Sequence, residues 1–382
     1  VYFGGESFSL RAGAGNFTLD EMKEGITFCH ERGVKCHMAL NIFAHNEDIG
    51  PFTEYLRSVK DLGIDAFIAA DPGVIDMIWE VMPDAEVHLS TQANMTNYRT
   101  AKFWHDRGIR RLVLARELTL EEIREMRKNI PPDMELEAFV HGAMCISYSG
   151  RCLLSNFMIE RDANRGMCAH PCRWKYALVE QQRPGEYYPV EEDDRGTYIM
   201  NSKDLCLIEH LPQLIDAGIS SFKIEGRMKS VFYVATVVSA YRKAIDSYFK
   251  DPQSYSFRQQ WMEDLCKASH REFTTGFYFH KPDNLDQNYR TSDYTRDYSF
   301  VGIVKSYDPD TGYAKVEQRN KMVLGDRVEV FGPMTDFFEQ DISEMYDEEG
   351  EAISSAPHPQ QIIKIKMEKP VEPFFMLRNR KE

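Results

Sequence analysis

At 382 residues and 43% hydrophobic content, the chain can bury a sizeable core and reads as one large domain plus a smaller one. Its formal net charge of −14, from 60 acidic against 46 basic residues, excludes whole-surface attraction to nucleic acid and leaves only local basic faces for it. No apolar run reaches the roughly 18 residues needed to cross a bilayer, which argues against a membrane role. The opening VYFGGESF lacks a charged export signal. The expected location is therefore cytoplasmic, where clustered cysteines serve metals or catalysis more often than disulfides.

In chain order, short apolar segments alternate with helical stretches at intervals of roughly 25 to 30 residues, a βα pattern. The segments are VYFGG, VKCHMALNI, AFIAAD, EVHLST, RLVLARE, ELEAFVHG and, much later, SFKIEG. Thr18 with Glu21 and Thr119 with Glu122 have capping-box spacing, and DPGVIDMIWEVM opens on a turn. ERGVKC, DLGIDAF, DRGIRRL and DAGISSF each place a glycine where a left-handed helix cap belongs. Seven such units predict an α/β fold, a (β/α)8 TIM-like barrel whose first βα unit lies upstream of residue 1. TYIMNSKDL is a weaker candidate for an eighth strand, and a doubly wound sheet is the alternative. The expected domains are a barrel over 1–250 with a cysteine-rich insertion at about 143–206, a helical connector over 251–297, and a small β-barrel over 298–382.

In a barrel the chemistry sits where strands end. Those ends carry Asn41, Asp71, Thr91, Gln92, Arg116, Glu117, His141, Lys223, Glu225 and Arg227. Arg227, in KIEGRMKS, sits between strand and helix, where a planar cation suits a carboxylate or phosphate. Arg11, in the glycine-rich RAGAGNF, is similarly placed after the first strand. Between the strand ending at His141 and the last strand lies an insertion of about 75 residues, far beyond a normal βα loop. It holds five of the eight cysteines: Cys145, Cys152, Cys168, Cys172 and Cys206. Soft thiolates at the catalytic end point to a metal centre. Zinc and an iron–sulfur cluster both accept four thiolates; only Cys168 and Cys172 have zinc-knuckle spacing, and dispersed thiolates suit a cubane. Cys29, Cys36 and Cys266 read as core thiols on helices or a strand.

EAFVHGAMCISYSGRCLLS, from Glu137 to Ser155, resembles the signature of peptidase family U-32, the collagenase-like family. VYFGGESFSLRAGAGNF, LNIFAHNED, LSTQANMTN, LARELTLEEI and KIEGRMKS are similar to its other blocks, so the resemblance covers nearly the whole chain. It implies a barrel strand and helix upstream of Val1 and a small C-terminal β-barrel from about Phe300. Members of this length most resemble the prephenate-dependent proteins that convert wobble uridine of tRNA to 5-hydroxyuridine. Related hydroxylases hold a 4Fe-4S iron–sulfur cluster on four cysteines, a pattern to which Cys145, Cys152, Cys168 and Cys206 are similar, with Cys172 as the alternative ligand.

The reading that follows is an RNA hydroxylase with a 4Fe-4S cluster, or zinc as the alternative metal, and prephenate as co-substrate. Arg227, Arg11, Lys223, Asn41 and Gln92 would bind the small dicarboxylate, while His141, Glu225 and Glu117 would carry protons. Lys315, Lys321, Lys364 and Lys366 of the C-terminal domain would hold tRNA, and a protein partner or a homo-oligomer is a further expectation. The runner-up is a peptidase. The chain offers that reading neither an H-E-x-x-H helix nor a G-x-S-x-G elbow.

Overall fold

In the computed structural model, the described residues are 1–9, 15–145, 147–148, 151–174, 177–178, 188–189, 203–280, 294–333 and 335–381. The chain divides into two units, Val1–Met228 with Glu272–Ser292, and Lys229–Arg271 with Asp293–Glu382. The first unit therefore stops short of residue 250, and the expected connector is shared between the two.

The first unit is built on β1 (Tyr2–Phe3), β2 (His37–Ala39), β3 (Ala66–Ala69), β4 (Val87–Leu89), β5 (Arg111–Val113) and β6 (Glu135–Ala143), paired in parallel in chain order. Between them run α1 (Leu19–His30), α2 (Ile49–Val59), α3 (Pro72–Val81), α4 (Tyr98–His105) and α5 (Leu120–Asn129). Local sequence dictates their ends. Thr18 and Thr119 each form a complete capping box with Glu21 and Glu122, and Asp71 caps α3 by accepting from the Gly73 and Val74 N–H groups. Gly33, Gly63, Gly108 and Gly218 all take the positive φ that closes the preceding helix. Phe52, Leu56 and Val59 put one face of α2 wholly out of solvent, on the order of 1.5–3 kcal/mol for each side chain.

Two further strands attach to β6, which forks. Its first half pairs in parallel with β8 (Ser221–Ile224), while its end pairs antiparallel with β7 (Asp204–Cys206), setting His141 opposite Cys206. Gly142 makes the fork possible: its φ is +124°, and a Cβ there would lie 2.8 Å from the Glu225 Cβ. The end of TYIMNSKDL is thus a strand, but an antiparallel one, and not the eighth of the parallel series; residues 197–202 fall outside the described set. β9 (Phe273–Thr274) runs parallel to β7.

The ends of the seven-strand parallel run approach each other through side chains, the Tyr2 hydroxyl donating to Glu225 Oε2 at 3.1 Å. Among the described residues no ladder joins β1 to β8, and the hydrogen bonds make a mixed α/β sheet with a parallel run of seven strands. The strands also hold buried titratable groups. His37 and His88 meet edge to face at 4.7 Å, and Lys223 pairs with Glu137 at 2.6 Å.

The second unit contains α8 (Val231–Lys250), α9 (Gln259–Cys266) and an antiparallel sheet. Its strands are β10 (Tyr298–Asp308), β11 (Tyr313–Gln318), β12 (Arg327–Phe331), β13 (Phe338–Asp341), β14 (Met345–Tyr346), β15 (Ile362–Lys366) and β16 (Met376–Arg380). Their order in the sheet is β13-β12-β16-β10-β11-β15-β14. Alternation sets its core: Ala314, Val316, Ile363 and Ile365 are fully buried while Lys315, Lys364 and Lys366 point the other way. α8 joins this unit because Phe232 stacks on Phe300 at 5.4 Å and clusters with Ile303, Phe331 and Met376. α9 is tied in by a buried charge network, in which Glu329 accepts from Lys267 at 3.0 Å and from Arg378 at 2.7 Å.

Candidate active site

The C-terminal ends of the parallel strands open onto a cavity of about 140 Å³. Asn41 follows β2, Thr91 and Gln92 follow β4, Arg116 follows β5, and Lys223, Glu225 and Arg227 belong to β8 and the turn after it; all line the cavity. The rule that loops at these ends carry chemistry therefore finds most of its residues in one place.

Arg227 is held in position by fixed partners. Its Nη2 donates to Ser9 Oγ at 3.1 Å and to Asn16 Oδ1 at 2.9 Å, and its backbone N–H donates to Glu225 Oε1 at 3.2 Å. A Cβ on Gly4 would sit 2.1 Å from Arg227 Nη2, so a larger residue there would displace the guanidinium. Arg116 donates from Nη1 to the Ala143 carbonyl at 2.9 Å, which places a second guanidinium on the cavity wall. Asn41 Nδ2 donates to Ser90 Oγ at 3.4 Å.

Lys223 is differently employed. Its ammonium, 9% exposed, sits 2.6 Å from the Glu137 carboxylate and 4.3 Å from the Tyr2 ring centroid. Burial alone would raise the Glu137 pKa, but the Lys223 charge and hydrogen bond, a hydrogen bond from Ser221 and nearby Arg111 together hold it at about 2. Lys223 is thus already neutralised, and a role in gripping substrate is secondary to this pair.

Not every expected residue reaches the cavity. His141 is buried at 2% exposure, its ring 5.6 Å from that of Phe273, and it is absent from the described lining. The physical reason is the fork in β6: His141 lies in the stretch that pairs with both β7 and β8. Glu117 also stays off the lining, and burial raises its pKa. Asp71 is spent on capping α3. Arg11 lies outside the described residues. Of the three proton carriers expected, only Glu225 faces the cavity. It accepts from Tyr2, a residue that sequence reasoning passed over because a lone tyrosine in VYFGG carries no motif.

The cysteine-rich insertion supplies another wall. Cys145, Cys152, Cys168 and Cys172 all line the cavity, together with His170 and Pro171 from the intervening turn. The His170 N–H donates to Cys168 Sγ at 3.4 Å. Cys206 is 6% exposed in β7 and does not belong to the lining, whereas Cys172, the alternative ligand, does. None of Cys145, Cys152 and Cys168 is in a disulfide.

Comparison with known proteins matches two family profiles to the chain. The profile of peptidase family U32 matches residues 1–288, and that of the U32 C-terminal domain matches residues 296–378. The chain is 44% identical to a Bacillus subtilis protein named tRNA hydroxylation protein P1, over all of this chain and 90% of that one. It is 37% identical to tRNA hydroxylation protein P of Escherichia coli, over 94% of this chain and 86% of the other. It is also 32% identical to a protein named collagenase from Porphyromonas gingivalis, over 90% and 84% of the two chains. With a family profile spanning most of its length and relatives aligned end to end, this chain belongs to peptidase family U32.

Proposed function

We propose that the protein is a tRNA hydroxylase that adds an oxygen to wobble uridine, giving 5-hydroxyuridine, with prephenate as co-substrate and a 4Fe-4S cluster in the cysteine-rich insertion. The observation that carries this reading is the meeting of thiols and guanidinium groups at one cavity, Cys145, Cys152, Cys168 and Cys172 with Arg116 and Arg227. The names of the relatives support the coarser part of this reading, tRNA hydroxylation.

The donor set suits an iron–sulfur cluster. Among the described residues, the one triad of His, Cys, Asp or Glu ligand atoms found within 4.8 Å of one another lies elsewhere, so these thiols stand wider apart than a single zinc ion asks. Tetrahedral zinc with 2.3 Å bonds needs sulfur atoms roughly 3.8 Å apart, whereas a cubane spreads its ligands over four irons. Cys145, Cys152 and Cys168 would supply three ligands. The spacing shared with related hydroxylases names Cys206 as the fourth, and the cavity wall names Cys172. When bound, the cluster supplies one-electron chemistry beside the substrate.

The protein's own groups would do the rest. Arg227 and Arg116 present planar forks that suit the two carboxylates of a small dianion. Glu225, fixed by Tyr2 and by the Arg227 N–H, is placed to hold or move a proton. An unstacked uridine would enter from the open side. In the second unit, Lys315 and Lys364 are cross-strand partners and Lys366 stands opposite Tyr313, a basic and aromatic face suited to phosphates. Like charges directly opposite on a sheet oppose folding, so this pair is better explained by a polyanion than by stability.

The test is anaerobic purification followed by iron, sulfide and zinc analysis. Stoichiometric iron and sulfide, lost in the Cys145→Ala, Cys152→Ala and Cys168→Ala variants, is the expected result; comparing Cys172→Ala with Cys206→Ala identifies the fourth ligand. Stoichiometric zinc without sulfide, with metal-independent cleavage of gelatin, would hand the case to the peptidase reading.

A further inference from the structure

A separate group of ligand side chains gathers at the opposite ends of the strands from the cavity. His30 closes α1, Cys36 immediately precedes β2, and Asp65 immediately precedes β3. Their ligand atoms all lie within 4.8 Å of one another. His30 Nε2 and Asp65 Oδ2 are 2.8 Å apart, and the same oxygen accepts from the Cys36 N–H at 2.7 Å. A sulfur, an imidazole and a carboxylate thus converge from three elements that are far apart in sequence.

A plain surface ion pair would explain His30 with Asp65 but not the thiol beside them. Cys36 is buried at 1%, and His30 and Asp65 close the outer side. Tetrahedral zinc places its ligand atoms roughly 3.3–3.8 Å apart, given bonds of about 2.0 Å to nitrogen or oxygen and 2.3 Å to sulfur. Atoms already inside 4.8 Å reach that spacing by side-chain rotation alone.

We propose that His30, Cys36 and Asp65 form a binding site for a zinc-class divalent cation, with solvent completing the coordination, remote from the active-site cavity. The cation staples the end of α1 to the starts of β2 and β3, the face of a β/α architecture whose residues serve stability rather than chemistry. Binding takes the Cys36 thiolate and releases its proton. This proposal does not rest on the hydroxylation reading.

The test uses the full chain, stripped with a chelator under reducing, anaerobic conditions, reloaded with zinc chloride and desalted. The wild type should retain one more zinc per chain than His30→Ala or Asp65→Asn, and zinc should raise the thermal midpoint of the wild type only. His30 is exposed enough that its substitution leaves a folded chain, so the comparison survives if a Cys36 variant does not fold. Cobalt in place of zinc should give thiolate-to-cobalt charge-transfer absorption that Cys36→Ser removes and Cys145→Ser keeps. Equal zinc content in the wild type, His30→Ala and Asp65→Asn overturns the proposal. Iron measured in the same samples reports on the insertion thiols, so loss of one centre is distinguishable from loss of the other.

Discussion

Replacing Lys223 by methionine should destabilise the parallel-sheet unit by about 3–5 kcal/mol, the cost of stranding one member of a buried ion pair. The figure follows from burial: the Lys223 and Glu137 side chains are 9% and 7% exposed, with 2.6 Å between nitrogen and oxygen. Some relief comes from Ser221 Oγ, which donates to Glu137 at 2.7 Å, and from Arg111 Nη1 at 3.7 Å, which argues for the lower end of the range. Glu137→Leu combined with Lys223→Met should recover most of the loss, because two apolar groups leave no charge unpaired. Urea unfolding followed by tryptophan fluorescence reads this unit, since Trp79, Trp104 and Trp174 lie in it and only Trp261 in the other. The sign with pH is fixed as well. Glu137 titrates at about 2 when folded against an ordinary 4.5, so its stabilisation is present above pH 4.5 and disappears as pH falls toward 2. Lys223→Met should flatten that part of the stability curve. A cost below about 1 kcal/mol would refute the reasoning and return Lys223 to the substrate-binding set.

Arg227→Ala should abolish activity while leaving the thermal midpoint nearly unchanged, as expected of a group placed to hold substrate; a collapse in the thermal midpoint would mark it as structural. Gly142→Ala should cost about 1–3 kcal/mol in backbone strain at a φ of +124° and also displace Glu225, so calorimetry and activity should fall together. His37 is held near 4, first by burial and then by His88, so its contribution is complete above its ordinary 6.5 and is lost as pH falls toward 4. His37→Gln should flatten the thermal midpoint over that window, and an unchanged slope would contradict the assignment. Lys364→Glu with Lys366→Glu should weaken tRNA binding and lower the log–log salt slope by up to about 2, with the metal content untouched; an unchanged slope would place the RNA elsewhere.

Local signals in the sequence were legible wherever a backbone rule has one answer. Capping boxes at Thr18 and Thr119 and positive-φ glycines at helix ends stand where the pattern put them, because a hydrogen bond or a missing Cβ decides those positions locally. Strand-end polarity located Asn41, Gln92, Glu225 and Arg227 at the cavity for the same reason: a βα loop leaves the strand end facing one side of the sheet. Long-range pairing was not legible. The fork of β6 that buries His141, and the antiparallel seat of Cys206, depend on strands about 65 to 80 residues away, which periodicity does not reach. Nor could spacing reveal that Glu137 holds Lys223, or that Cys36, read as a core thiol, stands beside His30 and Asp65. The helix α8 was assigned to the barrel because βα alternation predicts a helix after SFKIEG; aromatic stacking of Phe232 on Phe300 assigns it to the other unit.

The most direct test of the central claim is mass spectrometry of tRNA nucleosides from a strain lacking the gene, complemented with the wild-type chain or with Cys168→Ala. Hydroxylation at the cysteine-walled cavity predicts that the wild type restores the mass of one added oxygen on wobble uridine and that Cys168→Ala, though present at normal level, does not. Identical nucleosides from the empty, wild-type and Cys168→Ala strains would contradict it.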